Sequence, residues 1–217
     1  MTRILILYGT TDGHTAKIAG FVADRLRALG AGVEVFNAAT SNPDPTAYAG
    51  IIVAASVHAG GYQRSVVHWV RAHAQTEVMR GARTAFLSVC LGILEKNPKV
   101  MADLTAIKSA FIARTGWTPT QFKIVAGALP YTRYGWIKRV IMRRIARKAG
   151  GATDTAHDHE YTDWLDLRAF AEKCYSLWTP KTEPNASCET GSACSCASGA
   201  IPMRSRVLAR SGGALPG

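Results

Sequence analysis

No apolar run among the 217 residues approaches the ~20 needed to cross a bilayer as a helix. The opening segment, Met1-Thr2-Arg3 followed by Ile4-Leu5-Ile6-Leu7-Tyr8, is too short for a secretory leader and is interrupted by Gly9. It reads as the first strand of a cytoplasmic protein. Acidic residues are scarce: 15 Asp and Glu stand against 26 Lys and Arg, for a net charge of +11. Two phosphate-binding fingerprints are missing, the dinucleotide G-x-G-x-x-G and the Gly-Lys-Ser/Thr end of a P-loop. Zinc-knuckle spacing is missing too. Cys194-Ser-Cys196 has a one-residue spacer and no nearby His to complete a ligand set, so no metal is expected. Cys90 and Cys174 lie in apolar surroundings and read as reduced core residues, while Cys188, Cys194 and Cys196 fall in the tail.

What is present is ordinary globular material. Hydrophobic residues are 47% of the chain and charged residues 19%, which excludes wholesale disorder, collagen and coiled coil. The length suits one domain. Short apolar runs alternate with segments of helical period, the pattern of βαβ units around a parallel sheet. Ile4–Tyr8, Val33–Phe36, Ile51–Ala55, Thr84–Val89 and Phe122–Leu129 read as five strands. Thr15–Leu29 reads as a helix with Ile18, Phe21, Val22, Leu26 and Leu29 on one face, ended by Gly30. Further helices are expected over Ser65–Ala74, over Val100–Thr115 with Met101, Leu104, Ile107, Ala110 and Phe111 on its inner face, and over Trp164–Leu177. The fold class is therefore α/β, a doubly wound five-stranded parallel sheet spanning residues 1–179. Residues 180–217 run through Gly, Ser, Ala, Pro and Cys without periodicity and read as a flexible tail.

The chemistry concentrates between the first strand and the first helix, at Gly9-Thr10-Thr11-Asp12-Gly13-His14-Thr15. A turn of this kind points backbone N–H groups and the positive helix end at an anion, and Thr10, Thr11 and Thr15 add hydroxyl donors. The turn holds no Lys or Arg, so a phosphate monoester would be held by dipoles and hydroxyls. The alternative is a capped turn whose threonines satisfy the helix N–H groups. The exit of strand three, Ser56-Val57-His58-Ala59-Gly60-Gly61-Tyr62, offers glycines for close backbone approach to a flat ring and Tyr62 to stack on it. His58 reads equally as a ring neighbour or a plain loop histidine. The exit of strand four, Ser88-Val89-Cys90-Leu91-Gly92, would be the third loop around the ligand.

The excess charge has one main location. Arg133, Lys138, Arg139, Arg143, Arg144, Arg147 and Lys148 fall within residues 131–149, which contain no acid. Tyr131, Tyr134 and Trp136 open this insertion (131–150), and Ile137, Val140, Ile141 and Ile145 then recur at helical steps. A basic amphipathic helix with aromatic anchors suits an anionic membrane surface, where each cation contributes about 1 kcal/mol. The same pattern also fits a solvated helix packed on its own domain. Nucleic acid is not an expected partner, because no recognised module accompanies the charge.

The Thr/Gly turn resembles the phosphate loop of flavodoxins, which bind FMN where the strand order reverses. The likeness then narrows. Thr11-Asp12-Gly13-x-Thr15, Ala55-Ser56-Val57-His58-x-Gly60, Ala126-Gly127-Ala128-Leu129-x-Tyr131-x-Arg133-Tyr134, Gly150-Gly151-x-Thr153-Asp154-Thr155 and Tyr161-Thr162-Asp163-Trp164 together resemble the flavodoxin-like, quinone-dependent protoporphyrinogen IX dehydrogenases. The resemblance covers roughly residues 1–177 and leaves out the tail.

The resemblance implies an FMN enzyme that oxidises protoporphyrinogen IX to protoporphyrin IX in haem synthesis. Its electrons would pass to a membrane quinone, menaquinone or ubiquinone. Such an enzyme would sit peripherally on the cytoplasmic face of the inner membrane, with a homo-oligomer left open. The implied cofactor contacts are Thr10, Thr11, Asp12, Gly13, His14, Thr15, Ser56, His58, Gly60, Tyr62, Phe86, Ser88, Val89, Cys90, Leu91, Asp154 and Thr155. Substrate or membrane contacts would be Tyr131, Arg133, Tyr134, Trp136, Lys138, Arg139, Arg143, Arg144 and Arg147. No residue declares itself as the catalytic acid or base. Two other readings share the fold: an NAD(P)H:quinone reductase, for which no nicotinamide signal stands out, and a flavodoxin-type electron carrier, a class usually acidic.

Overall fold

Strands that are apolar along their whole length must be covered on both faces, and this chain supplies helices for each. The computed structural model describes residues 1–95, 97–129 and 159–179, all within the unit Met1–Lys181. The expected insertion (131–150) and tail (180–217) lie outside the described residues. Five strands, β1 (Arg3–Gly9), β2 (Gly32–Asn37), β3 (Gly50–Ser56), β4 (Thr84–Val89) and β5 (Gln121–Val125), form one parallel sheet in the order β2-β1-β3-β4-β5. Ile4 to Leu7 and all of β4 are buried.

Alternation of side chains along the strands divides the interior in two. Ile4, Ile6, Ile52, Ala54, Ala85 and Leu87 meet α1 (His14–Ala28) and the last helix, here α5 (Trp164–Trp178). Leu5, Leu7, Ile51, Val53, Ala55 and Phe86 meet α2 (Arg64–His73), α3 (Glu77–Arg80) and α4 (Pro98–Thr115) on the other face. Residues Ile18, Val22 and Leu26 of α1 are fully buried at the expected helical spacing. The Arg25–Glu172 ion pair ties α1 to α5 at the surface.

Three departures from the sequence expectation have physical reasons. The fifth strand does not run to Leu129. It leaves the sheet at Ala126–Gly127, and Ala128–Leu129 (β6) pairs antiparallel with His159–Glu160 (β7) in a separate two-stranded ribbon. A Cβ on Gly127 would lie 3.4 Å from Val89 Cγ1, so the chain passes close over the end of β4 there. Second, α4 buries Leu104, Phe111 and Thr115, whereas Met101 is 40% exposed and Ala110 lies outside. That helix packs chiefly against α2 and the 3-10 turn Leu91–Glu95, so its buried stripe is narrow. Third, Glu77–Arg80 forms a single helical turn too short for periodicity to reveal.

Candidate functional site

In a sheet of this order, β1 sends its chain to one face through α1 and β3 sends its chain to the other through α2, so a crevice opens between the two exits. The structure has a cleft of about 290 Å³ there, with walls from the loops after β1, β3, β4 and β5. That is at the lower end of the range typical of small-molecule sites.

The loop after β1 is held open toward the cleft. Gly13 is the N-cap of α1 with φ 92, a left-handed conformation, and the helix start has no side-chain cap. Thr10 Oγ1 accepts a hydrogen bond from Gly13 N–H at 2.9 Å, so this threonine braces the turn and does not cap the helix. The first turn of α1 carries no acid. Its N–H groups and positive end therefore face a ring of hydroxyls with no competing negative charge from the helix.

His14 fastens this loop to a segment far away in sequence. Its Nε2 lies 2.6 Å from Thr162 Oγ1, and the Thr162 hydroxyl donates to the Ala126 carbonyl at 2.7 Å. With that proton committed, Thr162 oxygen is the acceptor and His14 Nε2–H the donor. Tyr161 N–H donates to Gly127 O at 3.1 Å, which holds the β6–β7 ribbon beside the cleft. One turn along α1, Lys17 pairs with Glu160 at 2.6 Å and lies 5.0 Å from the Trp164 ring, whose Nε1–H donates to Glu160. Burial lowers the His14 pKa below that of a free histidine, with Lys17 acting the same way and Glu160 opposing. Its ring is neutral at pH 7. Burial pushes the Glu160 carboxyl up, but hydrogen bonds from Lys17 and Trp164 outweigh it and leave the group below the usual carboxylate range.

The β3 exit folds into a tight turn. His58 and Gly61 exchange backbone hydrogen bonds of 2.8 and 3.1 Å around Ala59 (φ 48) and Gly60 (φ 78). Both central residues are left-handed, as in a type I′ turn, and for Ala59 that costs about 1–2 kcal/mol. Strain of this kind gathers at the rims of binding sites. Gln63 bridges the two strand exits: its Nε2 donates to Ser56 Oγ and, at 3.2 Å, to Thr11 Oγ1. On the third wall Cys90 Sγ accepts from Gly92 N–H at 3.2 Å.

Of the residues expected around a cofactor, the structure brings Thr10, Thr11, Asp12, His14, Thr15, Ser56, His58, Val89, Cys90 and Leu91 to the cleft. Gly13 and Gly60 shape its turns and do not line it. Tyr62, Phe86 and Ser88 are not among the residues that line the cleft. Phe86 and Ser88 are buried in β4. The Tyr62 ring meets Phe86 and Phe111 edge-on at 4.9 and 5.2 Å, and its hydroxyl donates to Ser88 Oγ. An aromatic ring that can bury its faces among two phenylalanines and still satisfy its hydroxyl has no reason to stand out as a stacking platform. Asp154 and Thr155 lie outside the described residues, as do Tyr131, Arg133, Tyr134, Trp136, Lys138, Arg139, Arg143, Arg144 and Arg147. Sequence reasoning passed over Gln63, Gly127 and the bonding of Thr162. Gly127 and Thr162 each stood in a motif, Ala126-Gly127-Ala128-Leu129 and Tyr161-Thr162-Asp163-Trp164, the latter before the Asp163 cap of α5, whereas Gln63 carried no signal.

A 2-1-3-4-5 parallel sheet with its crevice at the β1–β3 reversal is the architecture of the flavodoxin-like class. Residues 5–156 match the family described as Flavodoxin domain. The protoporphyrinogen IX dehydrogenase (quinone) of Escherichia coli K12 is 32% identical over 176 residues, 81% of this chain and 96% of that protein. The protein of the same name from Leishmania major is 30% identical over 177 residues, 81% of this chain and 75% of its own. Oxidised flavodoxin 1 of Bacillus cereus shares the fold at a TM-score of 0.51 and 14% identity, over 82% of this chain and 100% of that one. The chain belongs to the flavodoxin-domain family of quinone-dependent protoporphyrinogen IX dehydrogenases, which are oxidoreductases.

The cleft depends on a missing side chain. A Cβ on Gly9, the last residue of β1, would stand 2.5 Å from Val66 Cγ2 and 3.1 Å from Gln63 Oε1. Gly9→Ala is expected to lower unfolding stability by about 1–3 kcal/mol through overpacking. Urea denaturation measures it, and an unchanged midpoint contradicts the packing described.

Proposed function

We propose that this chain binds FMN in the cleft and oxidises protoporphyrinogen IX to protoporphyrin IX, as a step of haem synthesis, with a membrane quinone as electron acceptor. The observation that carries the reading is the uncapped, hydroxyl-ringed start of α1 at the strand reversal, in a chain whose relatives are named for this reaction. The residues fit the cofactor. A phosphate monoester needs several convergent donors, and the free N-terminus of α1 with Thr11 and Thr15 supplies them without an acid in the first turn. A flat apolar ring needs a slot between backbones, and Val57, Ala59, Leu91 and Gly92 line the same cleft beyond the phosphate loop.

What a bound flavin supplies is a reversible electron acceptor, and the chain's part is to hold and orient it. Gln63 fixes the β1 and β3 exits relative to one another through Thr11 and Ser56. His14 and Thr162 fix the phosphate loop against the Gly127 wall. Among the described residues, no helix is long and apolar enough to cross a membrane. Access to a quinone would then come from the surface of the bilayer, which the cations of residues 131–149 and the aromatic residues Tyr131, Tyr134 and Trp136 would meet from the cytoplasmic side.

Anaerobic mixing of FMN-loaded protein with protoporphyrinogen IX and a soluble quinone should give quinone-dependent porphyrin fluorescence. Flavin that is reduced by NADH or NADPH but not by the porphyrinogen would move the function to a quinone reductase; flavin that neither reduces would leave an electron carrier. The membrane side is tested separately. Replacing Arg143, Arg144 and Arg147 together by Glu should reduce co-sedimentation with anionic liposomes about tenfold or more, since several cations act at once. Undiminished sedimentation of that variant would remove the docking role.

A further inference from the structure

Residues 9–15 supply hydroxyls and a helix end but no Lys or Arg, and Lys17, one turn into α1, is paired with Glu160. Yet one imidazole stands inside the loop. His14 lines the cleft beside Thr11, Asp12 and Thr15, half-buried, with its ring fixed by the bond to Thr162. Because Nε2 carries the proton donated to Thr162, Nδ1 is the nitrogen without one. We propose that His14 takes up a proton at Nδ1 as a phosphate dianion enters the loop, so that the loop acquires by protonation the cation its sequence lacks. The proton comes from solvent, and no other bond changes. The proposal rests on the flavin reading of this cleft and goes beyond it by assigning a residue to the phosphate and a charge to the bound state.

The balance of charges around the ring supports the step. Before binding, burial and Lys17 disfavour the imidazolium more than Glu160 favours it, and the ring is neutral. Among the described residues, Asp12 in the same loop and, on the other cleft walls, His58 and Cys90 are the further titratable groups that share the cleft. A dianion arriving at close range in a partly desolvated site favours the imidazolium. The sign follows. A pKa that rises on binding means proton uptake, so affinity increases as pH falls through the bound-state value and levels off below the free-state value. A phosphate monoester's own second ionisation, near pH ~6, works in the opposite direction, since its protonation weakens the dianion. The two effects are thus separable by sign.

The test uses the full chain and three ligand–protein pairs. FMN and riboflavin are titrated into wild type between about pH 8.5 and 6.5, a window above the ordinary histidine value in which a raised, bound-state imidazole would titrate. Flavin fluorescence gives the affinity, and calorimetry in two buffers of different ionisation enthalpy gives the proton count. The expected result is FMN binding that tightens about tenfold across the window with net proton uptake, and riboflavin binding that stays flat, because riboflavin has no phosphate. His14→Gln keeps an N–H donor for Thr162 but cannot titrate, so it should bind FMN with no proton uptake and no tightening. FMN binding without proton uptake in wild type would overturn the proposal while leaving the flavin reading intact. Equal proton uptake in His14→Gln would overturn it too. Should that variant not fold, wild-type FMN against riboflavin decides alone: matching pH profiles reject the proposal. No FMN binding at any pH removes the flavin reading and this step with it.

Discussion

The site depends on the divergence of two neighbouring strands. β1 and β3 run side by side, with Gly9 beside Ala55, and then their chains part to opposite faces of the sheet. Gly9 lets Val66 and Gln63 of the β3 side approach the end of β1 to within a distance no other residue would allow. From that contact Gln63 reaches both Thr11 and Ser56, and the two loops are held apart at a fixed spacing. The three central strands beneath the cleft, β1, β3 and β4, are buried on both faces, so the loops rise from a close-packed base.

A second set of bonds closes the cleft from the side of α1. His14 bonds Thr162, Lys17 bonds Glu160, and Tyr161 bonds Gly127. The first two join parts of the chain more than 140 residues apart in sequence, and all three lie beside the β6–β7 ribbon that flanks residues 130–158. The lone Lys17–Glu160 pair, largely exposed on the lysine side, adds little to stability. Its role is better read as register: it keeps the ribbon beside the phosphate loop. Cys174, by contrast, is a plain core thiol, its pKa pushed up to about 12 by burial, in keeping with a reduced interior residue.

Much of the fold was legible because burial on both faces leaves an unmistakable apolar run. Ile4–Tyr8, Ile51–Ala55 and Thr84–Val89 each match a strand to within a residue or two at either end. The α1 stripe was legible for the same reason, as one helix face meets one sheet. The α4 stripe was misread at Met101 and Ala110, because a helix packed largely on another helix need not bury its most apolar arc. Thr84–Val89 was placed correctly, but the facing of Phe86 and Ser88 within it follows from which helix lies above, and periodicity does not contain that. Composition cannot tell a ring offered to a ligand from one packed edge-on against Phe86 and Phe111, where Tyr62 lies. The break at Gly127 was hidden because Phe122–Leu129 is uniformly suited to a strand; only the ribbon with His159–Glu160 explains it. The loop after β1 was the most legible part of the site, since its glycine and hydroxyls lie together in sequence and act together in space.

The central claim is that the β1–β3 cleft receives FMN with its phosphate at the start of α1. A crystal structure of the full chain grown with FMN tests this most directly. The account predicts phosphate oxygens within hydrogen-bond distance of Thr11, Thr15 and the first N–H groups of α1, with the flavin ring between the Val57–Ala59 and Cys90–Gly92 walls. Flavin bound elsewhere, or a phosphate held away from this helix end, would contradict it.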